Sequence, residues 1–152
     1  NVDNFGNIVK EFYQAELGER LSIIFRSLAT SLYGIAIATR YSKEDQSGTL
    51  RLSYLPNDAG SILSQYESIA WQFNNTNPIF TSLINSSKEL LKAVVAHDSA
   101  KVEASKTQFL NSMAAFATLF KTAVEKNKPD RFATQSTPTP MTLKSSKNND
   151  IM

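Results

Sequence analysis

The chain has no cysteine and a single histidine, His97. Disulfide frameworks, thiol nucleophiles, zinc ribbons, iron–sulfur clusters and covalent c-type haem are therefore excluded for this chain alone. Two-histidine zinc sites fail on count. So does the di-iron pattern of helical bundles, which needs a Glu-x-x-His on each of two helices and finds Val94 three residues before His97. Neither a cofactor nor a metal site is expected. Five glycines and five prolines rule out collagen-like, Gly-repeat and Pro-rich classes. Sixteen Lys and Arg against fourteen Asp and Glu leave a formal charge of +2, a balance that predicts neither a nucleic-acid binder nor an acidic disordered chain. Long hydrophobic runs are also missing. The most apolar uncharged stretch, Ser27 to Thr39, holds 13 residues, and about 20 are needed to span a bilayer. No transmembrane segment is expected on that ground.

What is present suits one domain. Of 152 residues 41% are hydrophobic, enough for a single core. A chain that begins at Asn1 fits either a processed leader or a boundary inside a longer protein. Lack of cysteine together with abundant Asn, Ser and Thr is compatible with the bacterial cell envelope, whereas secreted eukaryotic domains of this size often carry disulfides. The expected location is therefore extracytoplasmic: secreted, periplasmic or on the cell surface.

Apolar spacing gives the architecture. Leu17, Leu21, Ile24, Leu28, Leu32 and Ile35 follow at steps of four, three, four, four and three, one face of a long helix. Phe5, Ile8 or Val9, and Phe12 extend the pattern upstream, so the first helix is read from Asp3 to about Tyr41, in one or two pieces. Gly18, costing about 1 kcal/mol relative to Ala in a helix interior, marks a kink or a close helix contact. Tyr41 to Gly60 breaks the pattern and reads as a long crossover. Its Leu50–Leu55 segment is too short to assign, and Pro56-Asn57-Asp58-Ala59-Gly60 has the composition of a turn. A second helix is read from Ser61 to about Phe73. The third is capped by Asn77 with Pro78 at its first position and carries Phe80, Leu83 or Ile84, Leu91 and Val94. Asp98 or Ser99 caps the fourth, whose stripe is Val102, Phe109, Met113, Phe116, Phe120 and Val124. These readings predict an all-α antiparallel four-helix bundle with one long crossover, spanning residues 1–132. A flexible or draped polar tail, rich in Ser, Thr, Pro, Lys and Asn, follows over residues 133–152.

Catalytic candidates are thin. His97 has Asp98 beside it, but neighbouring helical residues do not face one another and no G-x-S-x-G elbow occurs, so a helix-terminal imidazole is the plainer reading. Glu16 and Glu19 sit among Lys10 and Arg20, as a solvated ion-paired face would. The aromatics are more informative. Tyr41, Tyr54, Tyr66 and Trp71 are expected to gather where the crossover meets the bundle, as a contact surface for a protein partner or a small-molecule ligand. Lys121, Lys126, Lys128 and Arg131 form a candidate anionic-surface contact, set against simple complementation of a helix dipole. No aromatic platform interleaves with basic residues, so nucleic acid is not an expected partner. The resulting expectation is a non-enzymatic helical-bundle binding or interaction module. The alternative is a structural or assembly subunit of a virion, appendage or secretion complex, whose tail orders on a neighbour and which would be oligomeric.

Overall fold

The computed structural model describes residues 2–66 and 69–127. Among them the chain is all-helical, with five helices and no strand: α1 Val2–Phe12, α2 Ala15–Arg40, α3 Gln46–Tyr66, α4 Phe73–Val95 and α5 Ser99–Asn127. The tail read over residues 133–152 lies outside the described residues.

Five helices replace the expected four because the long first helix is interrupted at Tyr13 and Gln14; the expected crossover and the helix read from Ser61 to Phe73 form a single helix, α3, that ends at Tyr66. Asp45 starts α3. Its Oδ1 accepts the Gly48 backbone N–H at 2.9 Å and its carbonyl accepts the Thr49 N–H at 3.0 Å, the two bonds of an N-cap. Leu52, Leu55, Ala59 and Leu63 then form a buried stripe through the segment whose composition suggested a turn. Pro56 sits inside this helix without an N–H for the Leu52 carbonyl, and buried packing outweighs that loss. Gly60 is likewise a packing position: a Cβ there would stand 2.9 Å from the Phe73 ring. α4 begins at Phe73, five residues before Pro78, so Asn77 is not its cap; the Asn77 amide instead bonds the Asn57 side chain of α3.

Two ends are closed by the same backbone device. After α2, Ser42 adopts φ 54°, its N–H reaches the Thr39 carbonyl, and the Lys43 N–H reaches Ala38 at 2.8 Å. After α4, His97 adopts φ 55°, its N–H reaches Val94, and the Asp98 N–H reaches Ala93 at 3.1 Å. Both are Schellman motifs with a left-handed residue where glycine is usual. Asp98 then caps α5, its Oδ1 accepting the Lys101 N–H at 3.1 Å.

α2, α3 and α4 pack on one another, α5 packs on α4, and α1 folds back on α2. A run of rings ties the lower half together. Tyr13 stacks 4.6 Å from Trp71, Trp71 lies 5.1 Å from Phe120, and Phe5 lies 5.1 Å from both Phe120 and Phe25. Phe5 of α1 thereby joins α2 to α5, whose Phe25 and Phe116 rings also meet directly at 5.5 Å.

Candidate functional site

The structure does not bring the four expected aromatics together. Trp71 is fully buried in the turn before α4, and its indole N–H donates to the Leu119 carbonyl at 3.3 Å. It is a packing residue. Tyr66 ends α3, packs against the core and hydrogen-bonds Glu16 at the start of α2. Tyr41 lies beyond the other end of α2, exposed, about 37 Å away by helical rise. Tyr54 is exposed on α3, about 18 Å along the helix from Tyr66. The physical reason is that the supposed crossover is itself a helix, which spreads these side chains along its length. Of the basic group, Lys121 is exposed with its Nζ 3.7 Å from Glu125, and Lys126 is exposed in the last turn of α5. Lys128 and Arg131 lie outside the described residues.

Several ion pairs lie at the surface. The Arg20 guanidinium, 2.6 Å away, and then the Tyr66 hydroxyl hold the Glu16 carboxyl below its ordinary range. Desolvation, followed by the Glu16 hydrogen bond, pushes the Tyr66 hydroxyl up. The Lys101 backbone N–H, followed by its side chain, lowers Asp98. Among the described residues no group of three His, Asp or Glu side chains is placed to hold a metal ion. His97 serves as the left-handed residue of a helix end.

One apolar feature was not legible as a site in the sequence. An open groove of about 560 Å³ runs over α4 between α2 and α5. Its walls are Phe25, Leu28, Ala29 and Leu32 from α2, Leu83, Leu90, Leu91 and Val94 from α4, and Phe109 and Met113 from α5. Ser87 is the one polar lining residue, and its hydroxyl is committed to the Leu83 carbonyl at 2.7 Å. Such a lining binds apolar surface and offers no acid, base or nucleophile. By contrast, the cleft of about 450 Å³ at the α2–α3 turn is lined by Lys43, Glu44, Asp45 and Lys92 as well as apolar residues.

The chain matches no family model, no curated protein and no solved structure. The site must therefore be judged on its own chemistry. α2 bears on this directly. By length and composition it is apolar enough to cross a membrane, because its apolar stretch continues past Arg26, where the uncharged run stops. Of that stretch 28% is fully buried, and Phe25, Leu28 and Leu32 within it are half-buried. A core helix that is this apolar ordinarily hides most of its surface.

Proposed function

We propose that this chain is a non-enzymatic interaction module that works by binding a protein partner outside the cytoplasm. In this reading α2 to α5 form an antiparallel four-helix bundle, with α1 a short fifth helix wedged into one half of it. The observation that carries the proposal is one open groove whose walls are almost wholly apolar, with Phe25, Leu28 and Leu32 of α2 left half-buried along it. Val94 is 50% exposed and Met113 40% on those walls. Exposed apolar surface that is contiguous and concave is a mark of an interaction site. The extracytoplasmic assignment rests on the cysteine-free composition.

The test is site-specific photo-crosslinking in the native host from Leu32 and Met113. Ile23, half a helical turn away around α2 and 60% exposed, serves as the control. A single adduct of fixed mass from the two groove positions and none from Ile23 supports the reading. Adducts only to further copies of the chain, in a large particle of fixed stoichiometry lost on deletion of residues 133–152, would replace it with the assembly-subunit reading. No adduct from either groove position would overturn it.

A further inference from the structure

At the end of the molecule where α2 turns into α3 and α4 into α5, a cleft of about 430 Å³ lies between the two corners. Its walls include Thr39, Ser42 and Lys43 at and just beyond the end of α2, Lys92 on α4, and Lys101 and Ser105 on α5. It shares no residue with the apolar groove. Thr39, Lys43, Glu44 and Lys92 also line the cleft of about 450 Å³ at the α2–α3 turn, so the two clefts run together around those side chains.

One polar group in this cleft is built in rather than left at the surface. Ser105 is only 9% exposed. The buried helix serines Ser22, Ser86 and Ser112 each donate to a carbonyl about one turn back, at 2.9, 3.0 and 3.0 Å. Ser105 makes no hydrogen bond among the described residues, and it lines the cleft. A buried hydroxyl that forgoes its own helix is left for an occupant of the cleft.

The charges around the opening are unpaired as well. Glu89 and Lys92 are three residues apart on α4, the spacing at which Asp98 pairs with Lys101 at 3.1 Å and Glu103 with Lys106 at 3.9 Å. Glu89 and Lys92 form no such pair, and neither do Lys43 and Glu44. Two cations and two anions therefore face one opening without meeting each other. Asp98 and Lys101 offset one another, which leaves the cleft neutral as a whole. A simple anion or a simple amine would meet a like charge there, whereas a ligand that carries both signs meets a partner for each.

We infer that this cleft binds a free α-amino acid with an apolar side chain. Its carboxylate takes the Lys43 and Lys92 ammonium groups and the Ser105 hydroxyl, and its own ammonium takes Glu44 and Glu89. Its side chain enters the adjoining cleft, where Ile35 and the 58% exposed Leu50 supply apolar wall. A phosphate fits less well, because it brings only negative charge to an opening that already holds Glu44 and Glu89.

The experiment is amide and methyl NMR on the full chain, titrated separately with four probes. They are leucine, 4-methylpentanoate (leucine without its ammonium), 3-methylbutylamine (leucine without its carboxylate) and inorganic phosphate. Leucine is expected to saturate with a Kd of about 1 mM, as suits so small a ligand on an open cleft. The shifts should centre on Thr39, Lys43, Lys92 and Ser105, with the Leu50 methyls among them. Each leucine fragment should bind about fivefold more weakly or worse, having lost one ion pair. Ser105→Ala should weaken leucine about tenfold and leave Tm unchanged, because the hydroxyl bonds nothing within the described fold. Two exposed positions carry the same test without risk to folding. Lys92→Gln should weaken leucine and 4-methylpentanoate but not 3-methylbutylamine, and Glu89→Gln should weaken leucine and 3-methylbutylamine but not 4-methylpentanoate. Phosphate or either fragment binding as tightly as leucine would overturn the inference. So would shifts centred elsewhere, no saturation by about 20 mM leucine, or an affinity that all three substitutions leave unchanged.

Discussion

Replacing Gly18 with alanine separates two roles that glycine can have in a helix. Were it merely a weak residue in the interior of α2, alanine would stabilise the protein by about 1 kcal/mol. The packing predicts the opposite sign. The new Cβ would stand 2.5 Å from the Gly6 carbonyl oxygen, about 1 Å inside ordinary van der Waals contact. That obstacle is backbone, so relief requires α1 to withdraw from α2. Withdrawal pulls Phe5 away from Phe25, Phe116 and Phe120, whose rings lie 5.1, 5.6 and 5.1 Å from it, and unseats the buried Val9. Overpacking of this kind costs about 1–3 kcal/mol. Set against the propensity gain, it leaves a net loss of about 1 kcal/mol, or a Tm lower by about 3–4 °C for a chain of this size. Thermal unfolding followed by circular dichroism reads the sign directly, and amide exchange should show faster opening in α1. A Tm that rises on Gly18→Ala would refute the close α1–α2 contact.

Further consequences follow from the helix ends and the turns. His97→Gly should stabilise the protein by about 1 kcal/mol, since the residue sits at φ 55° where an L side chain is disfavoured; a lower midpoint in urea would count against the Schellman assignment. Trp71→Ala should cost about 3–5 kcal/mol, while Trp71→Phe should lose about 1 kcal/mol with its bond to Leu119; chemical denaturation measures both, and two equal losses would contradict the packing described. Asp98 is held below its ordinary pKa by the Lys101 N–H and then the Lys101 side chain. Its contribution is therefore present above the unfolded carboxylate pKa and fades as pH falls through the lowered folded value. Asp98→Asn should thus be less stable than the parent near neutrality and converge on it in acid, as Tm against pH will show; a gap that widens in acid would be the contrary result.

Much of the helical class was legible in the sequence, because spacings such as Leu17-Leu21-Ile24 and Phe116-Phe120 admit no strand. α3 was not, for a definite reason. Pro56, Gly48 and Gly60 carry turn chemistry locally, but here they are packing surfaces on a buried helix face, and that information lies in α2 and α4 rather than in α3. Trp71 was misplaced for the same reason: nothing local shows that a turn will be plugged by an indole. The groove was hidden differently. On its walls Leu28, Leu32, Leu83, Leu91, Val94, Phe109 and Met113 fall on stripes that read as core. What the pattern could not supply was how closely α2, α4 and α5 approach, which leaves Val94 and Met113 partly exposed.

The two ends of the molecule are encoded differently. At one end, α2 passes to α3 and α4 to α5 through the same sequence of events: a left-handed residue, a closing bond to the preceding turn, then an aspartate that opens the next helix. Everything needed is within about ten residues of chain. At the other end, Tyr13, Trp71 and Phe120 meet from three separate parts of the sequence, and their rings pack across the turns there. During folding the first end can therefore be specified from local chain alone, as two helical hairpins that form independently of each other. The second depends on contacts between both hairpins and α1, so its amides are expected to exchange before those of the first end.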